Sequence, residues 1–547
     1  MDRTGTKSDA GVRSTPRWAL EWPVGRLLGA LLALAMALPV RGEGPGLPER
    51  LLGVAVRPPA QPSMATSGPF DAGAVVEMAR ALARAPYVAP PTSLPPVLDK
   101  LDYDQYRDIR FRPSATVWLH SSRKFQLQML SLGYLFKTPV EIALVEEGWA
   151  RHLAYRPDMF VAGKLVTEPL PTEDVGFSGL RLQYPLNSSR VFDEVAVFQG
   201  ASYFRSLGRD QSYGLSARGL ALKVGDPAGE EFPLFRAFWI EVPEPGSNSI
   251  VVHALLDSPS VAGAYRFEIL PGSDTVMLVD ATLFPRVELT EVGLAPETSM
   301  FLFSPADRDR SDDFRPQVHD SDGLLVLNGR GEHLWRSLTN PAKLQITVLE
   351  DRSPRGFGLV QRDRNLVDYQ DFESHFEHRP TLWVEPRGDW QEGSVILTEI
   401  PSDAEIHDNI VAFWRPRTPI AAGSEFHISY RLSWGGEPPA AFDQLRVIST
   451  ALGRADVKAP TPVRRFVIDY SANAADCGTG CTPPHASVTT SAGKAQEVVV
   501  SDNPLTHGYR VSFTFDPQKA DLADLRLDLA FDDARHAEVW IYRWTKP

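Results

Sequence analysis

This 547-residue sequence predicts an all-β protein, with a large N-terminal β-sandwich followed by a smaller one of immunoglobulin-like size. Three observations carry that expectation. Helical periodicity is scarce after residue 86, while short apolar or alternating runs recur between turn signals. The 46 Pro and 40 Gly are spread without a period, which favours many turns and excludes a collagen-like chain. One segment, from Phe426 to Trp434, alternates without a break.

Taken in chain order, the first element is a targeting segment. Arg13, Arg17 and Arg26 precede an apolar run from Leu27 to Leu38, the plan of a secretory signal, assigned here to residues 1–42. The run is shorter than the ~20 residues needed to span a bilayer. No twin-Arg pair precedes it, which points to the general secretory route and a periplasmic destination. Residues 43–69 are rich in Pro and Gly and read as a linker. A short helix is expected next. Val75, Met78, Ala79 and Leu82 fall at helical spacing, and Pro86 stops it.

Strands follow. Ile250–Leu256 and Thr275–Val279 are apolar runs, and Leu324–Leu327 ends at the tight-turn pair Asn328-Gly329. Residues 70–415 are therefore assigned to the large sandwich. Arg415-Pro416-Arg417-Thr418-Pro419 reads as a domain linker, and 420–547 as the smaller sandwich. Phe426, Ile428, Tyr430, Leu432 and Trp434 put one face of its first strand in a core. Val511, Phe513 and Phe515, and then Leu525, Leu527, Leu529 and Phe531, repeat the pattern.

Composition excludes several functions. A formal net charge of -13 is a poor match for nucleic-acid binding, and no nucleic-acid partner is expected. No phosphate-binding Gly-rich loop, zinc-protease helix or Gly-x-Ser-x-Gly elbow is present. No cofactor and no metal is expected. His375 and His378 could supply two metal ligands, but nothing nearby in sequence completes an obvious set, so they read as exposed imidazoles. Asp320-Ser321-Asp322-Gly323 resembles the start of a calcium loop without its third oxygen ligand or spaced Glu. Cys477 and Cys481 lie in a flexible loop and could close a small disulfide in an oxidising compartment.

What remains is acids and aromatics, the two resources of a carbohydrate site. Several clusters mix aromatic rings with charge. Tyr203 and Arg205 follow Gly200-Ala201-Ser202, and Tyr213 and Arg218 flank Gly214-Leu215-Ser216-Ala217. Trp383 and Glu385 would share a strand face, with Trp390 nearby. With Asp322, these are the candidate substrate-binding residues. Each aromatic is equally at home in a β core.

Long words across about 70–435 resemble the periplasmic glucan biosynthesis proteins of the OpgG/OpgD (MdoG/MdoD) family. They include 101–111, 200–205, 213–219, 254–258, 295–301, 319–322, 356–361, 379–386 and 408–411. Tyr106 to Lys137 and the ordinary leader resemble the G branch more than the D branch. The resemblance implies a galactose-mutarotase-like sandwich, then an Ig-like domain. It also implies a role in osmoregulated periplasmic glucans, whose backbone is β-1,2-linked glucose, and likeness to inverting endo-β-1,2-glucanases. Carried onto this chain, Asp408 would be the general acid and Asp320 the general base. Sequence alone favours Asp408 as a turn cap before the strand from Ile410, and the resemblance, not the spacing, tips it towards catalysis. Asp320 and Asp322 could share a strand face or simply cap backbone amides.

Where the D branch tends to carry a Tyr, this chain has Phe376. Two functions follow as expectations. One is an endo-β-1,2-glucanase or transglycosylase. The other is a non-catalytic module that holds β-1,2-glucan for membrane-bound synthesis and modification enzymes, the glucan synthase among them.

Overall fold

The computed structural model describes residues 64–308, 311–438, 444–456, 458, 461–472, 483–532 and 536–546. The expected leader, most of the expected linker, and Cys477 and Cys481 lie outside the described residues.

The expected helix forms over Ala72–Arg84. Asp71 caps it by accepting a hydrogen bond from the Ala74 N–H at 3.0 Å. Val75 and Ala79 are buried on its inner face against Trp239 and Leu255. The end of the expected linker is docked rather than free. Met64 and Ala65 both donate backbone N–H groups to Glu141 Oε2 at 2.8 Å. Gly68–Pro69 then pairs with the edge strand Trp149–His152.

Nearly everything else is β. Among the described residues one sheet has 15 strands and a second has 10. The larger sheet runs through the antiparallel neighbours Leu234–Glu241, Ile250–Asp257, Val261–Leu270 and Thr275–Pro285. The smaller joins Gly179–Ser188, Val191–Gln199, Tyr203–Ser206, Ser216–Arg218, Val292–Ser299 and Ile410–Pro416. Their inner faces meet in one core. Phe198, Phe204 and Trp414 of the smaller sheet pack with Phe235, Phe267 and Trp434 of the larger. Phe198 and Phe204 stack at 5.4 Å, and both meet Phe267 edge-on.

The alternating segment forms a strand, Phe426–Gly435, but not in the smaller unit. It lies between Thr275–Pro285 and Thr381–Arg387, near the middle of the larger sheet. Ile428, Tyr430, Leu432 and Trp434 belong to the main core. The boundary expected at 415–420 is therefore corrected. Arg415 and Pro416 end a strand of the smaller sheet, and Ile420 bridges to Leu289, so the two-proline stretch is a turn on the large sandwich. The reason is physical: period-2 alternation requires a buried face but does not say which sheet buries it.

Four strands near the C-terminus form their own sheet, led by Val447–Arg454 and Arg464–Tyr470. Opposite it, Leu522–Ala530 and Val539–Thr545 extend the larger sheet, because Val539–Thr545 pairs in parallel with His333–Ser337. The core between them includes Phe466, Phe513, Phe515, Leu525, Leu527 and Trp540, and also Trp335 and Trp383 from the larger sheet.

Two expected substrate-binding aromatics are corrected here. Trp383 is 1% exposed and fills this second core, so its ring offers no face to a ligand. Trp390 is 9% exposed in the main core, near Phe357, Trp414 and Tyr430, and donates Nε1–H to the Ser429 carbonyl at 3.3 Å. Trp390→Phe keeps an aromatic ring but removes that bond and some volume. It is expected to cost about 1–2 kcal/mol of stability, read as a shift in the urea midpoint.

Candidate functional site

Strand register gathers the polar site. Across the smaller sheet Arg218 faces Tyr203, Ala217 faces Phe204, and Ser216 faces Thr298. Side chains alternate across a sheet, so Phe204 and Ala217 turn into the core. Tyr203, Arg205, Ser216, Arg218 and Thr298 then share the opposite face. The sheet continues to Ile410–Pro416, with Ser299 opposite Ile410. This register delivers Asp408, two residues before that strand, to the same place.

The loop carrying Asp408 is pinned by its neighbour. Asn409 is buried, accepts from Phe301 N–H at 2.8 Å, and donates to the carbonyls of Phe301 at 2.9 Å and Ile400 at 3.0 Å. Asp408 itself is 11% exposed and lies 3.7 Å from the Arg205 guanidinium. Among the described residues nothing donates a hydrogen bond to its Oδ2. Burial pushes its pKa up to about 7, opposed by Arg205 and Arg218 and reinforced by the negative charge of Asp320.

The two arginines are fixed from behind. Arg205 donates Nε–H to Ser216 Oγ at 2.7 Å. Arg218 donates Nε–H to Thr298 Oγ1 at 2.7 Å and pairs with Glu230 at 2.5 Å. Its guanidinium sits 4.7 Å from the centre of the Tyr203 ring. Burial raises the Tyr203 hydroxyl to about 12, so Tyr203 stays a neutral donor.

Asp320 follows the short strand Val318–His319 and lies in the turn before Gly323–Leu327. It is 7% exposed, with Arg379 Nε 3.2 Å from its Oδ1. Its N–H donates to the Met300 carbonyl at 2.9 Å, and the next residue, Ser321, hydrogen-bonds Ser299 at 2.9 Å. Asp320 is thus tied to the strand that also positions Thr298. A Cβ at position 214 would lie 3.1 Å from Arg379 Cβ, so Gly214 gives this arginine its room. The Tyr213 hydroxyl is buried, with its pKa raised by desolvation and by Glu194. Arg181 and Arg205 act on it in the opposite direction.

Asp322 has a different environment from Asp320. Its carboxylate accepts from the N–H groups of Arg362 at 2.9 Å and Asp363 at 3.2 Å. It holds the 361–364 loop, the capping role, and its expected ligand contact is corrected to an internal one. Glu385 pairs with Arg431 at 3.0 Å across the larger sheet, on the face that Trp383 shares. Phe376 is 2% exposed and packs with Met300, Phe303, Val318 and Tyr369. Tyr203, Arg205, Arg218, Asp320 and Asp408 therefore converge. Trp383, Trp390, Asp322 and Glu385 are engaged elsewhere within the protein.

Glu230, Thr298 and Arg379 join the cluster without having been singled out. Their signal was weak, because each is an isolated polar residue until register brings it across. A cavity of about 950 Å³ lies elsewhere, lined by Arg330, Arg352, Arg415 and Arg417 among others, and includes neither aspartate. Convergence of buried charge, rather than volume, marks the candidate site.

Comparison with known proteins agrees with the resemblance. Residues 70–544 match the family described as "Periplasmic glucan biosynthesis protein, MdoG". "Glucans biosynthesis protein G" of Vibrio cholerae serotype O1 is 57% identical over 481 residues, covering 88% of each chain. The protein of the same name from a Shewanella species is 56% identical over 482 residues, covering 88% of this chain and 87% of its own. Among solved structures, a galactose mutarotase related enzyme from Lactobacillus acidophilus is 11% identical. It covers 43% of this chain and 96% of its own, at a TM-score of 0.20.

Proposed function

The chain belongs to the MdoG family of periplasmic glucan biosynthesis proteins, among relatives named for protein G, and on that premise we propose that it cleaves or rearranges the β-1,2-glucan backbone. In this reading Asp408 is the general acid and Asp320 the general base of an inverting reaction. The observation that carries it is the contrast between the surroundings of two carboxyl groups, Asp408 being raised in part by the charge of Asp320. Asp408 is buried, accepts no hydrogen bond at Oδ2 among the described residues, and keeps its proton up to about pH 7. Asp320 is paired with a guanidinium. Inversion needs one carboxyl to protonate the departing oxygen and another to activate water on the far side of the sugar. Environments that separate two carboxyl groups are the usual way to divide those roles.

Arg205 and Arg218 moderate the acid. Without them the pKa of Asp408 would rise further, and proton donation would slow. Tyr203 and the arginine donors offer hydrogen bonds to sugar hydroxyls. Export to the periplasm, with residues 1–42 as the leader, and contact with a membrane-bound glucan synthase belong to the same proposal.

The test is incubation of the purified exported protein with linear β-1,2-glucan, with products separated by size. Shorter products carry the glycosidase reading. Unchanged glucan with retained binding would overturn it in favour of the glucan-holding module. A pH profile gives a second check. Because the acid must be protonated, initial rates are expected to fall about tenfold per pH unit above about pH 7. A rate that stays flat to pH 9 would remove Asp408 from that role.

A further inference from the structure

The short turn that leads into Arg379 carries a cluster with no place in the glucan chemistry. His375 Nδ1 lies 2.8 Å from Glu377 Oε1, and His378 Nε2 lies 3.7 Å from the same oxygen. One ligand atom from each of the three residues falls within 4.8 Å of the others. The carboxylate of Glu377, the residue just before His378, thereby completes a set that spacing along the chain did not make obvious.

We propose that His375, Glu377 and His378 bind a divalent transition-metal ion of the zinc class. Two imidazoles and one carboxylate are a donor set suited to such ions rather than to calcium or magnesium. Bonds of about 2.0–2.1 Å in a tetrahedral site separate ligand atoms by about 3.3 Å. The two spacings to Glu377 bracket that value, and the imidazole nitrogens lie within 4.8 Å of each other, so side-chain rotations would complete the geometry. A second observation points the same way. Glu377 has a side chain only 6% exposed, and among the described residues its Oε2 accepts no hydrogen bond. A buried carboxylate oxygen without a donor is costly, and a cation at this point relieves that cost. The two imidazoles are 45% and 53% exposed, which leaves an open side for water or another ligand.

The backbone presents the set in advance. His375 adopts the left-handed conformation, with φ 49°. The turn closes through His378 N–H to the His375 carbonyl at 3.0 Å. Gln361 donates to the Phe376 carbonyl at 3.2 Å, and Ser212 N–H to the His378 carbonyl at 3.1 Å. None of the three ligands belongs to the Asp320–Asp408 pair, so the proposal stands whether or not the protein cuts glucan. Its reach toward that pair is structural, because Arg379 is the next residue.

The experiment uses the untagged exported protein, stripped with a chelator and titrated with zinc chloride in a calorimeter at pH 7.5. One equivalent is expected to bind with a Kd of about 1 μM or tighter. His375→Ala and His378→Ala are each expected to weaken binding at least about tenfold. Both side chains are half exposed, so these variants should fold, which circular dichroism checks. Cobalt(II) supplies an independent readout, a visible absorption band present in wild type and lost in both variants. Zinc binding no tighter than about 1 mM, or equal in wild type and both variants, would overturn the proposal.

Discussion

Asp408→Asn is expected to lower cleavage of linear β-1,2-glucan by about a hundredfold to ten-thousandfold and, above pH 7, to make the protein more stable. The first effect follows because Asn has no proton to give to the departing oxygen. The second comes from linkage. In the fold the Asp408 pKa is raised from 3.8 to about 7. Below pH 3.8 the group is protonated whether the chain is folded or not, and it costs nothing. Between 3.8 and 7 the unfolded chain releases the proton while the folded one keeps it, so stability falls as pH rises. Above 7 the cost is complete, with an upper bound of roughly 4 kcal/mol at about 1.4 kcal/mol per pH unit. The uncharged amide avoids this cost. Thermal unfolding of both proteins at pH 4.5 and pH 8 measures it, with a gain expected chiefly at pH 8. A gain equal at both pH values would contradict the account, and so would full activity in the variant.

Arg336→Met is expected to destabilise the protein by about 3–5 kcal/mol. Arg336 and Glu399 are both fully buried, with Arg336 Nη2 2.8 Å from Glu399 Oε2. They connect the two sheets. Arg336 is on His333–Ser337 of the larger and Glu399 on Glu392–Glu399 of the smaller. The other carboxylate oxygen accepts from Thr339 N–H at 2.7 Å and Thr339 Oγ1 at 2.9 Å. Removing the arginine leaves a buried negative charge that Thr339 alone cannot balance. Glu399 also ends the strand from which the Asp408 loop departs, so activity should fall with stability. Urea unfolding of Arg336→Met, and of Arg336→Met combined with Glu399→Leu, tests this. The double variant should recover part of the loss, because no unpaired charge remains. A single variant within about 1 kcal/mol of wild type would show that the pair does not hold the sheets together.

Legibility in the sequence tracked how local each interaction is. The helix over Ala72–Arg84, the strand Phe426–Gly435 and the turn after Leu327 were readable because spacing along the chain dictates them. The ownership of Phe426–Gly435 was not, because its partners lie about 150 residues before it and 45 before it in the chain. Trp383 and Trp390 failed as ligand platforms for a related reason. An indole has the same apolar surface whether a sugar or a neighbouring strand covers it. Asp320 and Asp322 stand two apart in one motif, yet one faces a guanidinium and the other caps two backbone amides.

By itself the sequence determined an all-β chain, the positions of most of the strands expected from it, the acidic character and the family, since composition, periodicity and long shared words are properties of the chain alone. Only the tertiary structure decided which sheet each strand joins, which arginine meets which aspartate, and that the Glu377 carboxylate and both imidazoles bring ligand atoms to one point. Strand pairing spans hundreds of residues, and the field at a carboxyl group depends on distance and burial. Both are set by register and packing.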